Sequence, residues 1–351
     1  EYLEPALRMA GNAIARRRFD EADSLIDHIR ARRQRLTEYE NFYLTSLEAF
    51  RDGAPASALQ AARELQRIVP HEFVVRYARA RFAMDLGEYE EVVQTLAGVI
   101  ERLPPSYVSP RRTMGTQLTR SYHELGRFEE SLALARQLRH EFPGETQMYL
   151  YEASALAALG WLDELAETIA ACEGVPGGEC DAARVLADVS WHLTAHGHRE
   201  AARSYALRSV ELYRSRIEGG DMMYPAFLAY GLRAAELWED YAELSRQSMA
   251  RYEKGSDNYL YSLSCVGMAT AHLGDRAEAE AIMARLLNEE GFVYAGYVAA
   301  HLGELDRAVD YIKRGVTSES PYGYDHFMRW DLDLEPLWDY PPFREMVGWD
   351  D

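Results

Sequence analysis

The sequence predicts an all-α chain: a solenoid of about nine helical hairpins closed by a C-terminal capping segment. Two observations carry that prediction. A short phrase recurs, as LGEYEEV at Leu86, LGRFEES at Leu125, LGWLDEL at Leu159, LGDRAEA at Leu273 and LGELDRA at Leu302. Its spacing is near 34 residues, a period typical of stacked hairpins that bury a shared core. The composition agrees, because 48% hydrophobic residues are enough for such a core.

Each repeat can be placed from one marker, the residue that follows the recurring leucine. The markers are Arg17, Gly53, Gly87, Gly126, Gly160, Gly197, Glu239, Gly274 and Gly303. Glycine there fits a helix end that needs a left-handed backbone. Arg17 and Glu239 depart from it, so their turns are expected to be less regular. Proline stands 17 residues after three consecutive markers, at Pro70, Pro104 and Pro143, where it stops the second helix of a hairpin. A small residue often lies five after the marker (Ala58, Ser131, Ala202, Ala279, Ala308), which lets two helices approach closely. An aromatic or apolar residue often lies two after it, as at Phe19, Tyr89, Phe128, Leu162 and Leu305. The clearest repeats are 39–72, 73–106 and 112–145, and the pattern drifts over 198–255.

These offsets resemble the tetratricopeptide repeat family over about residues 3–320. The resemblance implies a right-handed superhelix whose concave wall is lined by the first helix of each hairpin. A narrower resemblance rests on HFMRWDLDLEPLWDYPPFREMV, His326 to Val347, and on LTEYENFYLTSLEAFRDGAPASALQAARELQRIVP near the start. Both look like repeat regions attached to bacterial signalling proteins, including receptor-type serine/threonine kinases and transcriptional regulators. That implies a regulatory or sensory part of a longer protein, cytoplasmic or extracytoplasmic with the latter preferred. The chain opens at Glu1 and not at Met, in keeping with a trimmed N-terminus.

The domain reading is a single continuous solenoid: a repeat array over 1–320 and a cap over 321–351. A stack of hairpins leaves an apolar face open at its end. Leu332, Leu334, Leu337, Trp338, Phe343, Met346 and Val347 are expected to cover it. Asp331, Asp333 and Glu335 are expected to be solvated or to cap helices, since no glycine-centred calcium loop follows them.

Charge limits the partners. The net charge is −19, which disfavours nucleic acid and anionic lipid. No apolar run is long enough to span a membrane. No phosphate loop, dinucleotide fingerprint, nucleophile elbow or kinase motif occurs. HELGR at His123 lacks a second histidine four residues on. His192, His196 and His198 in WHLTAHGH have fair metal spacing, but they flank a turn marker and are read as polar turn residues. No cofactor, metal or catalytic residue is therefore expected. Cys265 is expected in the core. Cys172 and Cys180 bracket the turn sequence EGVPGGE and could join in an oxidising compartment, although two separate helix-end thiols is the favoured reading.

Residues ten, six and three before each marker share one face of the first helix. By the family analogy this face looks into the groove. It carries Tyr43, Tyr77, Arg81, Arg120, His123, Trp191, Arg233 and Tyr297, rich in the types that dominate binding hot spots. The lysines and asparagine with which some relatives grip a C-terminal carboxylate are absent from these places. The expected function is a non-enzymatic scaffold that binds a protein or peptide segment in this groove. The alternatives are a subunit that self-associates through its repeats, and a small-molecule sensor or enzyme.

Overall fold

The computed structural model describes residues 3–15, 18–104, 106–218, 225–317 and 331–348. Arg17 and the stretch His326 to Trp330 lie outside them. The described chain is all-α, in successive pairs of leading and trailing helices: α1 (Glu4–Ala15) and α2 (Phe19–Arg30), α3 (Glu38–Arg51) and α4 (Pro55–Ile68), α5 (Phe73–Asp85) and α6 (Tyr89–Leu96), α7 (Val108–Glu124) and α8 (Phe128–Glu141), α9 (Thr146–Leu159) and α10 (Leu162–Glu173). They continue as α11 (Ala182–Ala195) and α12 (Arg199–Glu218), α13 (Pro225–Ala234) and α14 (Trp238–Met249), α15 (Asp257–His272) and α16 (Arg276–Asn288), α17 (Phe292–His301) and α18 (Leu305–Thr317). A 3-10 turn (Leu332–Leu337) and the short helix α19 (Pro341–Met346) follow. No described helix is long and apolar enough to cross a membrane. The contacts form two compact units, whose described residues run from 3 to 127 and from 128 to 348.

In the first unit, consecutive helices from α1 to α7 pack on one another, and leading helices also touch, α1 on α3 and α5 on α7. Leu7, Ile26, Ile29 and Leu44 form a fully buried centre. Thr37 opens α3 with a reciprocal capping box, accepting from the Glu40 amide while Glu40 accepts from the Thr37 amide. In the second unit the same order runs from α8 to α18, with α9 on α11, α11 on α13 and α15 on α17. Buried Glu152 of α9 pairs with Arg136 at 3.1 Å and Arg139 at 2.7 Å, both on α8.

The repeat offsets have clear structural roles. Gly53, Gly87, Gly126, Gly160, Gly197, Gly274 and Gly303 all have φ between 66° and 85°. Each left-handed glycine ends its leading helix and lets the chain turn back. The small residues Ala58, Ser131, Ala202, Ala279 and Ala308 are all buried. Pro70 and Pro143 come two residues after the ends of α4 and α8.

One marker moves. The left-handed residue between α13 and α14 is Glu236, with φ 58°, and Glu239 already lies in the first turn of α14. The shift evens the spacing: 236 − 197 is 39 and 274 − 236 is 38, instead of 42 and 35. The sequence hid the turn because it uses glutamate where the other turns use glycine. The corrected register puts Arg233 three residues before its marker and brings Tyr230 to the place six before.

The two helix-end cysteines are joined. Cys172 in the last turn of α10 and Cys180 just before α11 form a disulfide with Cα atoms 5.4 Å apart. Gly177, with φ 74°, turns the loop back on itself and overturns the reading of separate thiols. Cys265 is a buried free thiol, as expected.

Candidate functional site

The expected groove residues fall in two places, one in each unit. In the first unit, leading helices α1, α3 and α5 line an open cavity of about 300 Å³. Its walls are Gly11, Tyr43, Leu47, Phe50, Tyr77, Phe82 and their neighbours, with Arg8 and Arg81 among them. Tyr43, Tyr77 and Arg81 are brought together as the ten-and-six spacing required. Gly11 leaves room at this wall, since a Cβ there would stand a tight 3.1 Å from the Tyr43 hydroxyl.

The polar groups of this cavity differ in how well they are satisfied. Arg8 is paired to Glu4 at 2.8 Å. The Arg81 guanidinium stacks over Phe50 at 4.7 Å; among the described residues no carboxylate lies within ion-pairing distance of it, although Asp85, one helical turn on, interacts with it electrostatically. The Tyr39, Tyr43 and Tyr77 hydroxyls make no hydrogen bond to another described residue. Burial pushes the Tyr39 and Tyr43 phenols above their ordinary range, so both stay protonated donors. Arg120, one helix further on, lies 3.7 Å from Glu124, and His123 is buried in α7.

In the second unit the same face of the leading helices is already occupied. The chain's own segment Asp331–Leu337 crosses it. Arg233 of α13 donates to the Leu332 carbonyl at 2.8 Å, and lies 3.6 Å from both Asp333 and Glu335. Tyr261 of α15 donates to Asp333 at 3.1 Å, and Tyr297 of α17 donates to Asp331 at 3.3 Å. His301 Nε2 is 3.0 Å from the Asp333 carbonyl, which can only accept, so the proton sits on Nε2. His301 Nδ1 is then free to accept from His272 Nε2 at 2.8 Å, and His272 stacks on Trp238 at 3.8 Å. Arg233 also lies over Trp238, at 4.8 Å. Arg199 reaches Glu335 at 2.6 Å. Trp191 stands beside Tyr230, ring centres 4.8 Å apart.

The apolar half of the segment goes inward. Leu332, Leu334, Leu337 and Phe343 are at most 1% exposed, and Val347 is buried with them. The leucines therefore do cover apolar surface, but much of that surface is the side of the leading helices as well as the end of the stack. α19 packs on α18, and Tyr340 hydrogen-bonds Asp306. The carboxylates part company. Asp331 caps the 3-10 turn, accepting from the Asp333 amide at 2.9 Å, which fits the expected capping role. Asp333 is 2% exposed, against the expectation that it is solvated. The reason is Arg233: the sequence already put it on the groove face, but not that the chain's own segment lies against it. Tyr261 and His301 were missed because neither stands ten, six or three before a marker.

Electrostatics make this contact costly. Burial first, and the neighbouring Asp333 second, push Asp331 up to about 7. Asp333 is raised by burial, and Arg233 opposes that rise. Burial holds His301 well below its ordinary value, in keeping with its neutral tautomer. Cys265 is pushed up to about 12 by burial and is no nucleophile there. His192 and His196 are both lowered to about 4 by burial, and His196 packs edge-on against Phe128. They are thus more enclosed than the exposed turn residues their spacing suggested.

No family model and no curated protein matches this chain. It is similar to solved structures of two repeat proteins. One is a tetratricopeptide repeat protein from Parabacteroides merdae, with TM-score 0.38 and 12% identity, covering 88% of this chain and 97% of the other. The second is the P58(IPK) TPR domain, with TM-score 0.28 and 12% identity, covering 99% of each chain. The helix order, the glycine-marked turns and the period rest on this chain alone, and they make it an all-α helical repeat array consistent with the tetratricopeptide repeat.

Proposed function

We propose that the chain is a non-enzymatic protein-interaction scaffold that holds short peptide segments on the faces of its leading helices. One observation carries the reading: in the second unit that face already holds a short segment, the chain's own Asp331 and the 3-10 turn Leu332–Leu337, through Arg233, Tyr261, Tyr297 and His301. Backbone and carboxylate contacts together with buried leucines are what peptide recognition needs. The first unit offers the same kind of face with its cavity open, lined by Tyr43, Tyr77 and Arg81. Tyrosine there gives contact area at low entropic cost, and arginine adds a forked donor for carboxylates. The setting we favour is the regulatory or sensory part of a bacterial signalling protein. The Cys172–Cys180 disulfide supports an oxidising, extracytoplasmic compartment.

The test is peptide display selection against the wild-type chain and a variant carrying Tyr77→Ala, Arg81→Ala and Arg120→Ala. Selected peptides are expected to bind the wild type and lose the variant, while circular dichroism shows both folded. Peptides that bind both equally would sink the assignment of this face. Light scattering separates the assembly reading: a concentration-independent dimer or larger species favours self-association instead.

A further inference from the structure

We infer that the open cavity of the first unit takes a short peptide in which leucines alternate with carboxylates, the chemistry of the chain's own DLDLEPL segment. This rests on the scaffold reading above and adds the ligand class to it.

The occupied face shows what such a surface selects. There an arginine is held over an aromatic ring, Arg233 over Trp238, and its free edge meets a backbone carbonyl and two carboxylates. Tyrosine hydroxyls supply the neutral donors, to Asp331 and Asp333. The leucines between the acids are fully buried. Stacking fixes the guanidinium plane, so less freedom is lost when it bonds a carboxylate.

The open cavity repeats each part. Arg81 is held over Phe50 at 4.7 Å, and Asp85, one helical turn on, acts on it only from beyond ion-pairing distance. Tyr39, Tyr43 and Tyr77 present hydroxyls that no described residue bonds. The remaining lining is largely aliphatic and aromatic, and about 300 Å³ gives room for several aliphatic side chains. A cation offset only by the more distant Asp85, beside apolar surface, favours an acid next to an aliphatic residue. A purely apolar ligand would desolvate Arg81 without giving it an ion pair, which costs binding energy. A basic ligand would meet it with like charge. That complementarity is local, since the chain as a whole carries a net charge of −19.

The test uses the full chain and a fluorescently labelled peptide DLDLEPLWD, read by anisotropy. Saturable binding is expected. Arg81→Ala should weaken it about ten- to a hundred-fold, the range for losing a charge-assisted hydrogen bond. The amide analogue NLNLQPLWN should lose a similar factor on the wild type and little more on Arg81→Ala. Thermal unfolding checks that the variant is folded, and Arg81→Lys, which keeps the charge without the fork, should fall between. Binding that ignores both Arg81 and the carboxylates overturns the inference, including the case where the peptide enters the second unit in place of the segment there. So does the absence of binding. A parallel panel of neutral and basic peptides separates the two levels. If these bind in an Arg81-dependent way while DLDLEPLWD does not, the ligand class is wrong and the scaffold stands. If no peptide binds through this face, both fail.

Discussion

Replacing Arg233 by methionine tests the internal contact most directly. Arg233 is 4% exposed, and its fork serves the Leu332 carbonyl, Asp333 and Glu335. Methionine keeps much of the packing on Trp238 and removes the charge. It leaves Asp333, 2% exposed, beside Asp331 with no cation to offset either. Breaking one side of a buried ion pair costs about 3–5 kcal/mol, far more than the roughly 0–1 kcal/mol of an exposed pair. Asp333 has an escape, since it can take up a proton instead of staying charged. The cost should therefore be larger at pH 8 than at pH 5. Removing both charges, Arg233→Met with Asp333→Asn, should recover part of the loss and give a coupling of about 1–3 kcal/mol. The assay is urea unfolding of the two single variants and the double variant, with hydrogen exchange at the amides of Leu332–Leu337 to read local release of the segment. An Arg233→Met cost below about 1 kcal/mol, or strictly additive single and double changes, would refute the reasoning.

Three further outcomes are expected. Asp331 is raised to about 7 in the folded chain, so it is protonated there and ionised when unfolded between about pH 4 and 7, and its contribution to stability declines as pH rises through that window. Asp331→Asn keeps the neutral form, so its melting temperature relative to wild type should rise from pH 5 to pH 8, and a constant difference would exclude the buried acid. Breaking the disulfide as Cys172→Ser with Cys180→Ser should cost about 2.5 kcal/mol by loop-closure entropy for a separation of 8 residues, read as a lower urea midpoint, and no shift would show that the bond constrains nothing. Glu236→Gly should stabilise by about 0.5–1 kcal/mol by relieving a left-handed glutamate, and a lower melting temperature would mean that the Glu236 side chain holds the turn.

The sequence by itself determined the all-α class, the repeat period and most turns. Those are local properties: a left-handed helix end selects glycine, a helix stop selects proline, and close helix contact selects alanine or serine, each at a fixed offset. It also placed Tyr77 and Arg81 on one face of α5, because helical spacing is enough to do so, and the repeat phase put Tyr43 at the equivalent place on α3. Where the turn residue was glutamate, at Glu236, the local signal vanished and the register was misread by three residues. Only the tertiary structure decided what each face meets. Arg233 contacts Leu332 across 99 positions of sequence and Tyr261 contacts Asp333 across 72, and no periodicity reports on such pairs. The same holds for Asp333, whose alternation with leucine reads as a solvated edge until a buried arginine is found facing it. The meeting of Cys172 and Cys180 likewise depended on how the loop folds back, which the turn residues between them permit without requiring.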